Sequence, residues 1–192
     1  MIQVPDNREV RPTADRVREA LFSILASRMV GARVLDAYAG SGALGFEALS
    51  RGAAHVLFIE ADRRVARLLH DNGVDLGLEG RFSVRHARAA DWLDHASPEI
   101  PFDLILADPP YEGAETASFL PLAASPRWLS PTGWIVVERG RSHHAVETAG
   151  HGVSRFRSAV YGRSGLDFYR ADPDLAPENG AGEASTGGST RK

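Results

Sequence analysis

Asp108-Pro109-Pro110-Tyr111 is the segment whose residue types point most directly to chemistry. Two consecutive prolines restrict the backbone and remove two N–H donors. The Asp108 carboxylate and the Pro109 carbonyl can then face one point as acceptors. Two converging acceptors suit an NH2 group, which offers two donors. Tyr111 adds an aromatic face on which a nucleobase can stack, worth ~1–3 kcal/mol per base. This arrangement fits alkylation of an exocyclic amine. The lone pair of such an amine is delocalised into the base and is a poor nucleophile. Two hydrogen bonds favour rehybridisation and aim the lone pair at an electrophilic methyl group. The alkylated nitrogen loses a proton readily, so no strong base is required. The alternative is a proline-stiffened loop whose aspartate caps a helix.

The second chemical segment is Gly40-x-Gly42-x-x-Gly45, preceded by Asp36. Small residues let a backbone approach a ligand and place it at a helix N-terminus. A dinucleotide would set its pyrophosphate there. S-adenosylmethionine has no phosphate, and its ammonium and sulfonium would favour an acidic residue just before the glycines, where Asp36 stands. Glu60 follows Gly40 by 20 residues. A carboxylate there can accept both ribose hydroxyls of an adenosine, which serves either cofactor equally.

Those residues need strands to end beside them, and the hydrophobic pattern supplies the strands. Arg33–Asp36, His55–Glu60, Phe82–Val84, Phe102–Ala107 and Trp134–Glu138 read as short strands. Helical spacing runs through Val17, Ala20, Leu21, Ile24 and Leu25, with Thr13 as a candidate cap after Pro12. Further helices are expected through Phe46–Leu49, over Arg63–His70, around Asp91–Leu93 and over Glu115–Ala124. Arg155–Tyr161 and Leu166–Arg170 alternate around a Gly162–Gly165 turn, the pattern of a terminal hairpin. The expected architecture is α/β: a Rossmann-like, mostly parallel seven-stranded sheet, helices on both faces, and a C-terminal β-hairpin.

Composition bounds the remaining possibilities. The chain has 192 residues and no cysteine, which excludes disulfides, cysteine-ligated zinc, iron–sulfur clusters and thiol catalysis. No apolar run approaches the ~18 residues of a membrane helix, and the first 30 residues carry no secretory pattern, so a cytoplasmic setting without membrane contact is expected. Residues 1–170 are expected to form one domain with a short extension at 1–10. Residues 171–192 read as a disordered tail, rich in Ala, Gly, Pro, Ser and Thr. His143-His144 lacks a carboxylate framework, and no metal site is expected.

Net charge is −3, and the tail accounts for −2 of it through Asp172, Asp174, Glu178 and Glu183 against Arg191 and Lys192. All basic residues but Lys192 are arginines. They gather in three groups: Arg11, Arg16 and Arg18; Arg81, Arg85 and Arg88 with His86; and Arg155, Arg157 and Arg163. Arginine suits phosphate through its bidentate fork, although each of these can equally be a solvated surface residue.

Taken together, Arg11–Phe22, Leu35–Gly45, Glu47–Ala53 and Asp108–Tyr111 resemble the RsmD family, guanine-N2 methyltransferases of small-subunit (16S) ribosomal RNA. The resemblance covers roughly 10–170. It implies a class I methyltransferase fold with S-adenosyl-L-methionine as cofactor. By position, Asp36, Tyr38, Gly40, Ser41 and Gly42 would line the methionine end of the cofactor. Glu60 would hold the ribose, and Ala61 would flank the adenine. Asp108, Pro109, Pro110 and Tyr111 would orient the target base. Thr13 and Arg16 would close over the cofactor from the N-terminal helix. The implied partner is small-subunit ribosomal RNA within an assembling 30S particle, met by a monomer. Two departures stand out. Relatives often carry an acidic or amide residue after the third strand to meet the adenine amine. Here Ala87-Arg88-Ala89 occupies that place, and arginine has no acceptor, so backbone atoms of Arg88 and Ala89 must serve. Met1–Arg8 also lacks the glycine- and arginine-rich segment with which the family usually begins. Three other functions share some of these features. One is an amino-methyltransferase acting on adenine N6 or a protein glutamine. Another is an NAD-dependent oxidoreductase, in which Asp108–Tyr111 would have no role. The third is a non-catalytic RNA-binding assembly factor, which would not need a complete glycine turn.

Overall fold

The computed structural model describes the backbone of residues 12–110 and 114–172, with side chains for 15–110 and 115–172. The expectations for residues 1–11, Tyr111 and 173–192, and for the Thr13 side chain, lie outside the described residues.

The chain alternates as the apolar runs demand. Helix α1 (Pro12–Leu25) and a short 3-10 turn lead into β1 (Arg33–Asp36). Then come α2 (Ala43–Ser50), β2 (His55–Glu60), α3 (Arg63–Asp75), β3 (Phe82–His86), α4 (Ala89–His95) and β4 (Phe102–Ala107). Helix α5 (Ala114–Ala123) is followed by β5 (Leu129–Gly140), β6 (Thr148–Gly150), β7 (Val153–Tyr161) and β8 (Ser164–Ala171). Helix α1 begins on Pro12 itself, where a missing N–H costs nothing. Thr13 therefore sits inside the first turn rather than at the cap expected from sequence.

Among the described residues all the strands join one sheet, in the order β3-β2-β1-β4-β5-β8-β7-β6. It has eight strands rather than the expected seven. The addition is β6, a three-residue strand pairing antiparallel with β7 at the edge. Its length is below what residue alternation can signal. Strands β3, β2, β1, β4 and β5 run parallel, while β8 turns back against β5.

Alternation along each strand feeds two cores. Val34, Val56, Phe58, Leu104, Leu106 and Val136 pack toward α1, α2 and α3. Leu35, Leu57, Ile59, Ile105, Ile135 and Val137 pack toward α4 and α5. Burial on both faces explains why these strands read as unbroken apolar runs. Helix α2 lies so close on β2 that a Cβ on Gly45 would sit 2.0 Å from the Phe58 ring. Among the described residues, no helix is long and apolar enough to cross a membrane.

Consecutive strands step outward in opposite directions from the β1–β4 boundary. Open α/β sheets bind ligands at such a switch point, outside the carboxyl ends of the strands. Asp36 ends β1, Glu60 ends β2, and Asp108 follows β4 directly. The topology thus delivers three carboxylates to one edge.

Candidate active site

The turn between β1 and α2 is built on hydrogen bonds from its own glycines. Gly42 has φ +80° and supplies the left-handed residue that starts α2. Its N–H donates to the Ala39 carbonyl at 2.7 Å. The Gly40 N–H donates to Glu60 Oε2 at 2.8 Å, and the Gly45 N–H donates to Asp36 Oδ2 at 3.0 Å. These three donors are already taken, so they are not offered to a pyrophosphate.

Asp36 is 1% exposed, beneath the turn. Burial pushes its carboxyl up to about 7. The Gly45 N–H opposes that rise, while the charges of Asp108 and Glu60 add to it. Asp36 therefore holds the turn, a role the sequence did not distinguish from ligand contact. Glu60 is half-buried and accepts at both oxygens, from Gly40 and, at 2.8 Å, from the Asp62 N–H. Each carboxylate oxygen keeps a further lone pair for a hydroxyl. Asp62 caps α3, accepting from Arg64 at 2.7 Å and Val65 at 3.2 Å, and those backbone bonds hold its pKa below the ordinary value.

A site walled by acceptors and negative charge, with its glycine N–H groups engaged, suits a cationic ligand bearing hydroxyls. It disfavours a diphosphate. The acidic set thereby separates the two cofactors that the glycine spacing left equal.

Asp108 is exposed, Pro109 is buried and Pro110 is exposed at the mouth. Ser41 is half-buried in the turn. Ala61 is exposed at the end of β2, and its carbonyl accepts from His86 Nε2 at 3.1 Å. The Ala87 N–H donates to the Glu60 carbonyl at 3.0 Å, which fixes the start of the Arg88 turn beside Ala61. Ala89 is buried as the first residue of α4.

Two expected contacts are placed differently from a simple ligand shell. The Arg88 side chain pairs with Glu115 of α5 at 2.6 Å and lies 3.6 Å from Asp91, which leaves only its backbone for the expected contact. Tyr38 sets its ring edge-on to Phe119 at 5.3 Å, with its hydroxyl buried beside Glu115. Burial and the Glu115 charge raise the phenol's pKa above its ordinary value. Glu115 escaped the sequence reading. Its signal, an acidic residue in the first turn of a helix, is shared by many capping residues. Arg16 is exposed on α1.

The arginine groups divide. Arg81 donates to the Leu49 and Ala53 carbonyls at 3.0 and 2.8 Å, closing the end of α2. Arg155 pairs with Glu147, and Arg157 lies over Phe168 at 5.8 Å. Arg85 and Arg163 are exposed.

The doubly wound sheet, its switch point, and the acidic glycine turn facing an Asp-Pro-Pro loop define a class I methyltransferase. Known proteins bear this out. Residues 1–170 match the family described as Conserved hypothetical protein 95. The chain is 36% identical over 171 residues to ribosomal RNA small subunit methyltransferase D of Escherichia coli, covering 89% of this chain and 84% of that one. It is 36% identical over 138 residues to the protein of the same name from Haemophilus influenzae, covering 71% and 72%. The solved structure of Escherichia coli yhhF matches with a TM-score of 0.76 at 35% identity, covering 89% of this chain and 91% of that one. The chain belongs to this family, the RsmD family.

Proposed function

We propose that this protein transfers a methyl group from S-adenosyl-L-methionine to the exocyclic N2 amine of a guanine in small-subunit ribosomal RNA. The observation that carries the reading is the convergence of Asp36, Glu60 and Asp108 at the carboxyl ends of β1, β2 and β4, close enough for Asp108 and Glu60 to shift Asp36. The relatives' shared name supports the RNA class. The cofactor, when bound, supplies a methyl group activated by its sulfonium. Glu60 holds the ribose hydroxyls, and Asp36 with the Gly40–Gly42 turn offers negative charge to the methionine end. Ser41 and Tyr38 complete that end, and the backbone of Ala61, Arg88 and Ala89 borders the adenine. Thr13 and Arg16 cover the cofactor from α1.

Asp108 and the Pro109 carbonyl accept the two N–H bonds of the target amine, with Pro110 and Tyr111 fixing the base plane. The lone pair is thereby aimed away from its own ring. After transfer, the surplus proton passes to Asp108 or to water. Residues 1–170 act as one domain, in the cytoplasm, as a monomer on an assembling 30S particle.

The test uses labelled S-adenosylmethionine and small-subunit particles from a strain lacking its own enzyme, followed by mapping of modified nucleosides. N2-methylguanosine at one position is expected. Its absence, or methylation of adenine N6 instead, overturns the reading.

A further inference from the structure

A cleft of about 120 Å3 opens beside the Asp-Pro-Pro loop. Pro109, Pro110 and Thr116 form one wall. Val137 and Tyr169 of the sheet line it too, as does the loop carrying His143 and Val146. That loop, 141–147, follows β5 and precedes β6; it is mostly exposed and makes few backbone bonds of its own. Its ends are tied by the Arg141 N–H, which donates to the Arg163 carbonyl at 2.7 Å, and by the Arg155 N–H, which donates to the Glu147 carbonyl at 2.8 Å; its middle is held by Arg139, at the end of β5.

Arg139 spends its whole fork inside the protein. Its Nε donates to Asp167 Oδ2 at 2.6 Å, and Nη2 reaches Ser158 Oγ at 3.3 Å. Nη1 donates to the His143 carbonyl at 2.8 Å and the Gly140 carbonyl at 3.3 Å. Asp167 is 1% exposed and accepts from Ser158 Oγ at 2.6 Å, so the carboxylate is immobile. The guanidinium therefore links a fixed anchor in β8 to the carbonyl of His143, a residue that lines the cleft. With its donors committed, it is not a phosphate ligand. A planar fork can hold carboxylate and carbonyl at once, which an ammonium point charge cannot do with the same geometry.

We propose that the Arg139–Asp167 pair is a positioning device that pre-orders the loop side of this cleft, beside which the target base of the function above would sit. This rests on the amine-methylating function above. The apolar lining suits the faces of a base, and the polar loop suits its edge. Arg139 touches neither the reacting atoms nor the cofactor. Its contribution is the ordering of the loop before RNA arrives, which spares that ordering cost on binding.

The experiment compares Arg139→Lys with Ser158→Ala. The lysine keeps a charge beside Asp167 but cannot also span to the His143 carbonyl. Ser158→Ala weakens the same buried anchor without touching the loop. Arg139→Lys is expected to raise KM for the small-subunit particle about tenfold, with kcat and calorimetric cofactor affinity unchanged. Amide hydrogen exchange should speed up in 141–147 alone. Ser158→Ala is expected to lower the melting temperature and leave KM and loop exchange as they were. Equal KM in both variants overturns the positioning role, as does unchanged loop exchange in Arg139→Lys. The exchange measurement is read without catalysis, so it separates failure of the clamp from failure of the function. A wild-type protein that methylates no base overturns both the function and the claim on the cleft.

Discussion

The parallel and antiparallel halves of the sheet handle charge in opposite ways. On the parallel side, carboxylates crowd one edge, and Asp36 has its pKa raised first by burial and then by the charges of Asp108 and Glu60. On the antiparallel side, buried charge is paired on the spot. Asp167, equally buried, has Arg139 at 2.6 Å. The two aspartates have the same exposure and opposite electrostatics. An uncompensated buried charge is costly, and such cost persists where a ligand relieves it. The pairing on the antiparallel side serves construction, and the buried carboxyl of Asp36, with its raised pKa, marks the site on the parallel side.

The largest way to break this contrast is Asp108→Ala. Loss of the acceptor proposed for the reacting amine is expected to reduce transfer at least ~100-fold, with calorimetric cofactor affinity little changed. Equal loss of both would make Asp108 a cofactor ligand instead. Glu60→Gln comes next. It removes the charge and one acceptor from the pair that serves Gly40 and Asp62, so cofactor affinity should fall about 10- to 100-fold. The rate at saturating cofactor should be nearly retained.

Asp36 provides a pH test. Its folded pKa of about 7 lies above the ordinary aspartate value of 3.8. The folded state thus binds the extra proton between those values. Asp36 therefore makes the ligand-free protein lose stability as pH rises from about 4 to about 7, with no further change above. In Asp36→Asn, urea melts across that range should lose this slope. A cationic cofactor pulls the carboxyl toward ionisation, so binding near pH 7 should release a proton. Calorimetry in buffers of different ionisation enthalpy measures it, and absence of release would separate Asp36 from the ligand.

The smallest effect sharpens the arginine side. Arg163→Ala, at the exposed hairpin turn, should weaken RNA binding less than tenfold and reduce the log–log salt slope by about 1. Arg155→Ala should leave that slope unchanged and lower the melting temperature, because its partner is Glu147.

The placement of Asp36, Glu60 and Asp108 was legible beforehand because these residues sit at strand ends. Apolar runs mark where β1, β2 and β4 stop, and the residues that follow inherit a common edge from the topology. Glu115 was not legible, since its meaning comes from Arg88 and Tyr38 on two other elements. Nor was the split among arginines. Arg81 and Arg155 look like phosphate ligands in sequence, but Arg81 caps a helix end and Arg155 meets a glutamate. The eighth strand was missed because three residues against an edge carry no periodicity of their own.

By itself, the sequence determined the α/β class, the order of most elements, the glycine turn and the Asp-Pro-Pro loop that follows β4. These depend on local spacing and backbone restriction. Only the tertiary structure decided which charged groups are buried and which are paired. It buried Asp36 beneath its own turn, tied Arg139 to Asp167, and paired Arg88 with Glu115. Burial and partnership are set by residues distant in the chain, and the energy of a charge depends on both.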